Sequence, residues 1–116
     1  MSVAYKLKLV RRDDPDHVWA NLPEVQAWVK ANHSYNNDAG VSTKLHDALA
    51  EYTESIVWSV EGGEGIITVQ FANATKKAER DAKRVELLTA AGYYDAEASV
   101  QILPFFYEPI SGPTPV

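Results

Sequence analysis

The chain has no cysteine, one methionine and three histidines in 116 residues. The first absence removes disulfides, thiolate zinc sites and a cysteine nucleophile together, and fits a reducing compartment. No run approaches the roughly 18 consecutive apolar residues that a membrane span needs. The opening "MSVAYKLKLVRR" alternates apolar residues with lysine, and arginines stand where a secretory peptide would place small residues. A cytoplasmic protein without a membrane segment is therefore expected. Neither G-x-S-x-G nor G-x-x-x-x-G-K-[ST] occurs, so nothing points to serine catalysis or a nucleotide P-loop. Internal repeats are absent as well.

What is present suits a single domain: 46% of the residues are hydrophobic, and a chain of this length buries enough surface to fold without staples. The formal charge is −5 and is segregated. Lys6, Lys8, Arg11 and Arg12 make the first twelve residues basic, whereas residues 13–64 hold ten carboxylates against Lys30 and Lys44. A nucleic-acid binder needs concentrated cationic surface. This distribution argues against nucleic acid and leaves room for a basic protein partner.

Val3, Tyr5, Leu7 and Leu9 alternate with Lys6 and Lys8, which predicts a strand with one buried face. Asn21 and Glu24 have the spacing of a helix cap and its reciprocal acid, with Pro23 in the first turn. Leu22, Val25, Trp28, Val29 and Asn32 then form one helical stripe. After the polar "HSYNNDAG" (33–40), Ser42 is expected to cap a second helix that buries Leu45, Ala48, Leu49 and Tyr52. Ile56, Trp58 and Val60 predict a second strand, and Ile67, Val69 and Phe71 a third. Residues 74–91 predict a helix with Ala74, Ala78, Ala82, Val85 and Leu88 inward, ended by Gly92. Val100, Ile102 and Phe105 to Tyr107 predict a last strand at an edge, interrupted by Pro104.

The order β-α-α-β-β-α-β, with the two early helices taken together, is the split β-α-β pattern of α+β ferredoxin-like folds. It predicts a four-stranded antiparallel sheet with helices packed on one face. Lys6, Lys8, Ser59, Thr68, Gln70 and Gln101 are expected on the other face. The domain is expected to span residues 1–108, with 109–116 a proline-rich disordered tail.

In "SVEGGEGIITVQF" (59–71) three glycines lie between two strand patterns. A phosphate cradle needs glycines directly before a helix, so Gly62-Gly63 reads as a hairpin turn, and Glu61 and Glu64 would repel an anion. The stretch 64–71 resembles the third strand of RNA-recognition motifs at Gly65, Val69 and Phe71. Ile66 and Thr68 occupy the positions of the base-stacking aromatics, and Glu64 replaces the cation, so RNA binding is not expected.

Candidate sites come from three clusters. His33 extends the first helical stripe near Trp28, and His46 flanks the core stripe of the second helix. An antiparallel pair of these helices would bring both histidines toward a crevice with Tyr35, Asn36 and Asp38, the candidate small-molecule site. Asp47, Glu51 and Glu54 form an acidic helical stripe suited to a basic protein. The cluster Asp13, Asp14 and Asp16 lacks the spaced ligands of a calcium loop, so no metal or cofactor is expected. Lys76, Lys77, Arg80, Lys83 and Arg84 are interleaved with Glu79, Asp81 and Glu86, the pattern of a solvated helix face.

The topology, the size and "YKLKLVRR" followed by a helix with Trp28 and His33 resemble dimeric α/β-barrel proteins of the EthD type. That resemblance implies two sheets paired face to face around a ligand pocket. The Trp28-x-x-x-x-His33 spacing, the lack of a proline soon after the histidine and the extra helix depart from the group's pattern. Two functions are therefore expected in order. The first is a small acidic non-enzymatic binding or adaptor protein, an inhibitor of a basic nucleic-acid-binding protein being one form. The alternative is a homodimeric barrel-like enzyme or small-molecule-binding protein with a pocket near the first two helices.

Overall fold

The computed structural model describes residues 1–116. Strand β1 (Val3–Arg11) leads through a loop into helix α1 (Leu22–Asn32), a 3-10 turn (Ser34–Asn36) and helix α2 (Ala39–Leu49). Hairpin β2 (Ser55–Glu61) and β3 (Glu64–Phe71) precede helix α3 (Ala74–Ala91). A small hairpin, β4 (Tyr94–Asp95) and β5 (Val100–Gln101), leads to β6 (Phe105–Pro115).

The main sheet has the order β2-β3-β1-β6, every neighbouring pair antiparallel. This is an α+β, ferredoxin-like arrangement with helices against the sheet. Strand alternation sets its two faces. Val3, Tyr5 and Leu7 pack with Ile67, Val69 and Phe71, and Leu9 joins Trp19, Val25, Val29, Leu103 and Phe105 under α1. Phe71, Phe105, Ile66, Leu88 and Val25 are fully buried, each contributing about 1.5–3 kcal/mol by leaving water.

Local chemistry explains the element ends. The Asn21 side chain accepts from Glu24 N, capping α1, while Glu24 reaches back to Ala20 N at 2.8 Å. Asn73 caps α3 by accepting from Lys76 N, and Gly92 closes it in the left-handed conformation. Gly62 and Gly63 both have positive φ, so Glu61 and Glu64 face each other across a two-residue hairpin turn. The glycine stretch is thus a turn.

Four expectations about α2, the small hairpin, the C-terminal segment and α3 need correction. Helix α2 begins one turn early because Asp38, rather than Ser42, accepts from Gly40 N and Val41 N. Val100 belongs to the small hairpin rather than the last strand, since it pairs with Asp95, and Ile102 is exposed. Residues 109–115, expected as a tail, continue β6 alongside β1, with Leu7 opposite Pro109 and Val3 opposite Pro115. An edge strand needs hydrogen bonds on one side only, so its prolines are tolerated there. The register shifts between Ala4 and Leu7 accommodate the bend, where Gly112 approaches the Ala4 carbonyl too closely for a side chain.

The fourth correction concerns α3. Ala74, Ala78, Ala82 and Val85 are exposed, and of the expected inward stripe only Leu88 is buried. The side turned to the sheet carries Lys77, Arg80 and Arg84 instead. Long cationic side chains cannot close onto a sheet as alanines would, so a space remains between α3 and the strands.

Candidate functional site

The space is a cleft of about 850 Å³ bounded by α2, α3 and the helical face of the sheet. Ligand sites commonly fall in the range of roughly 300–1,000 Å³. Leu7, Ile67 and Val69 supply the sheet side, and Leu45 and Leu49 come from α2. Leu45 and Leu49 lie four residues apart, so one face of α2 delivers both. Exposed Ile56 and His46 also line it.

The α3 side is polar. Lys77, Arg80, Asp81 and Arg84 all line the cleft, three cations against one carboxylate. Lys77 holds Asp81 one helical turn away. The Arg80 side chain is only 21% exposed. Its guanidinium carbon stands 5.9 Å from the Phe71 ring centre, and its nearest carboxylate oxygen, on Asp81, is 3.8 Å from Nη1. Arg80 Nε is buried with no hydrogen-bond partner. Burial, followed by the charge of Arg84, holds the Arg80 guanidinium below its usual pKa.

Arg84 meets only neutral partners. Its Nη2 lies 3.5 Å from the Tyr35 hydroxyl. The Gln101 amide oxygen, when turned toward α3, accepts from Nη2 at 2.7 Å and Nη1 at 2.5 Å. Gln101, expected on the open sheet face, is instead in β5 and lines the cleft. The loop after α3 swings this hairpin under the helix end, where the Tyr93 amide donates to Leu88 O at 2.8 Å. Tyr107 of β6 also lines the cleft, and burial, followed by Tyr35, pushes its hydroxyl pKa up.

Of the six candidate ligand residues, Tyr35, Asn36 and His46 line this cleft. His33 does not line it. It is a buried C-cap residue of α1 whose ring packs edge-on against Phe105 and Tyr35 at centroid distances of 4.3 and 4.4 Å. Burial, with the nearby Arg84 charge second, pushes its pKa down to about 3, so the ring is neutral near pH 7. Its Nδ1 is buried without a partner, while Nε2 lies 3.5 Å from the Tyr35 hydroxyl.

Trp28 is half-buried against the core and outside the cleft, edge-on to Trp19 and Phe105, with the Arg11 guanidinium 4.9 Å above its ring. Asp38 is the α2 cap. The open space lies between α2 and α3 rather than between α1 and α2, and the aromatic contacts of Trp28 and His33 lie outside it. Sequence reasoning missed Arg80, Arg84, Gln101 and Tyr107. For the two arginines a signal existed: Lys77, Arg80 and Arg84 share one helical face with Leu88, the buried apolar residue of α3.

The expected acidic stripe does not form on one helix face, because α2 ends at Leu49 and leaves Glu51 and Glu54 beyond it. Asp47 is exposed and contacts only its neighbour His46, at 3.3 Å. Glu51 is exposed, and Glu54 accepts from Ser2 and Gln70. On the open sheet face, Lys6 pairs with Glu61 and Lys8 with Glu64, at 3.1 and 3.2 Å. Asp13 is drawn to Arg11, and Asp14 to His17, which also meets Glu24 at 3.0 Å. No group of three or more metal-ligating side chains converges, and no helix is long and apolar enough to cross a membrane.

No known family model, curated protein or solved structure matches the chain.

Proposed function

We propose that this protein binds a small molecule in the cleft between α2, α3 and the sheet. One observation carries the reading: α3 stands off the sheet and leaves about 850 Å³ lined by leucine, isoleucine and valine on two sides. An apolar recess of this size, with a few convergent polar groups, is the usual form of a ligand site. Tyr35, Asn36 and His46 contribute from the connection between α1 and α2 and from α2 itself. The test is thermal unfolding in the presence of a chemically varied fragment set, on the wild type and on Leu49→Trp, which fills the apolar side. Compounds that raise the wild-type midpoint and leave the filled variant unmoved are the expected result. Equal shifts in both proteins, or none in either, would overturn the reading.

A second reading, docking of a basic protein at the C-terminal end of α2 and the turn after it, draws on the exposure of Asp47 and Glu51, which no lysine or arginine pairs with. Its test is binding of a lysine-rich polypeptide at low salt. Retained binding by the double variant Asp47→Asn, Glu51→Gln would remove it.

A further inference from the structure

We infer that the ligand of this cleft is an amphiphilic organic anion, its carboxylate or phosphate group held by Arg80 and Arg84 and its apolar body laid along Leu45, Leu49, Ile67 and Val69. The inference rests on the small-molecule reading above and gives it a chemistry.

A helix that packs on a sheet ordinarily buries its small and apolar residues and leaves its cations in water. Helix α3 does the reverse: Ala74, Ala78 and Ala82 face solvent, and Lys77, Arg80 and Arg84 face the sheet. Removing guanidinium groups from water is unfavourable unless an anion meets them. The protein supplies too little negative charge for that. Asp81 is the only carboxylate lining the cleft; one of its oxygens is engaged by Lys77, and the other reaches Arg80 only at 3.8 Å. Arg84 is held by the uncharged Tyr35 and Gln101, and Arg80 keeps a buried, unpartnered N–H.

The remaining groups suit an anion as well. Planar guanidinium groups with several N–H donors match the oxygens of carboxylate or phosphate. Tyr35 and Tyr107, which both line the cleft, can each donate a hydroxyl proton. A neutral ligand of the same shape would leave the guanidinium groups uncompensated.

The experiment is isothermal titration of the full-length protein with octanoate, octyl phosphate and octanamide, below their aggregation concentrations. It is repeated with Arg80→Met, Arg84→Met and, as a control outside the cleft, Lys30→Met. The expected result is that at least one anion binds tenfold or more tightly than octanamide. Charge-assisted hydrogen bonds are strong enough to produce that margin. Either arginine substitution should erase the preference, Lys30→Met should keep it, and the tighter anion identifies the headgroup. If octanamide binds as well as both anions, the anion inference fails and the small-molecule reading stands. If none of the three binds while the varied fragments do, the amphiphile class is wrong. If no compound of either kind binds, the cleft reading itself is overturned. Circular dichroism of each variant separates a lost site from a lost fold.

Discussion

Replacing Arg80 by methionine should make the protein more stable. The methionine keeps an unbranched stem against Phe71 and discards a guanidinium that is mostly removed from water and has one unpartnered N–H. Exchanging a buried ionic group for a well-packed apolar one is often worth about 1–4 kcal/mol. Because the Arg80 side chain retains some exposure, a gain of about 2 kcal/mol is reasonable on that principle. Against it stand the cation–π contact with Phe71, about 0.5–1 kcal/mol, and the long contact to Asp81, at most about 0.5 kcal/mol in a partly exposed pair. The net expectation is roughly 1 kcal/mol of stabilisation, or about 4 °C in Tm for a chain of this size. Urea unfolding followed by tryptophan fluorescence, with calorimetry beside it, measures both quantities. Adding a bound anion should reverse the order, since a ligand stabilises only the protein that binds it. A loss of more than about 1 kcal/mol in Arg80→Met without ligand would refute the reasoning, because Arg80 would then be a net structural contributor.

Other perturbations test the remaining features. His33 ionises near 3 in the folded protein and near 6.5 when unfolded, so stability is complete above about pH 6.5 and falls as the unfolded chain takes up a proton below it. By pH 5 the loss is about 2 kcal/mol, and His33→Phe should flatten that part of a urea-midpoint profile against pH; an unchanged slope would assign the effect elsewhere. Gly112→Val should strain the approach to Ala4 and lower hydrogen-exchange protection at the Ala4 and Lys6 amides while β2 and β3 keep theirs. Uniform loss across the sheet would contradict a local effect. Deleting residues 109–116 removes the partner of half of β1 and should cost a few kcal/mol, since each ladder hydrogen bond contributes about 1 kcal/mol net. An unchanged urea midpoint would mean that the segment contributes nothing to the fold.

Much of the architecture was legible because periodicity reports directly on burial. The alternation in Val3 to Leu9 and Ile67 to Phe71 gave the sheet side, and the Val25–Val29 stripe gave α1. The paired glycines gave the hairpin turn. Reading failed where a rule of local preference met a tertiary demand. Prolines 109, 113 and 115 suggested disorder, yet a strand at an edge leaves one side of its backbone free. Asp38 and Ser42 are both good caps, and Asp38 captured the start of α2. In α3 the alanine stripe scored as the inward face by hydropathy, whereas rotation of the helix put arginine there. Only Leu88, at its C-terminal end, is anchored in the core.

Taken alone, the 116 residues determine the order of the main elements, the hairpin at Gly62-Gly63 and which face of each central strand is apolar, because these depend on spacing within a few residues. Tertiary structure decides which side of α3 meets the sheet, that Gln101 and Tyr107 join Arg84, and that residues 109–115 lie beside β1. Those outcomes depend on contacts between segments distant in the chain. The cleft belongs to this second group: it exists because a helix with a cationic inner face cannot close the distance that its alanines would have closed.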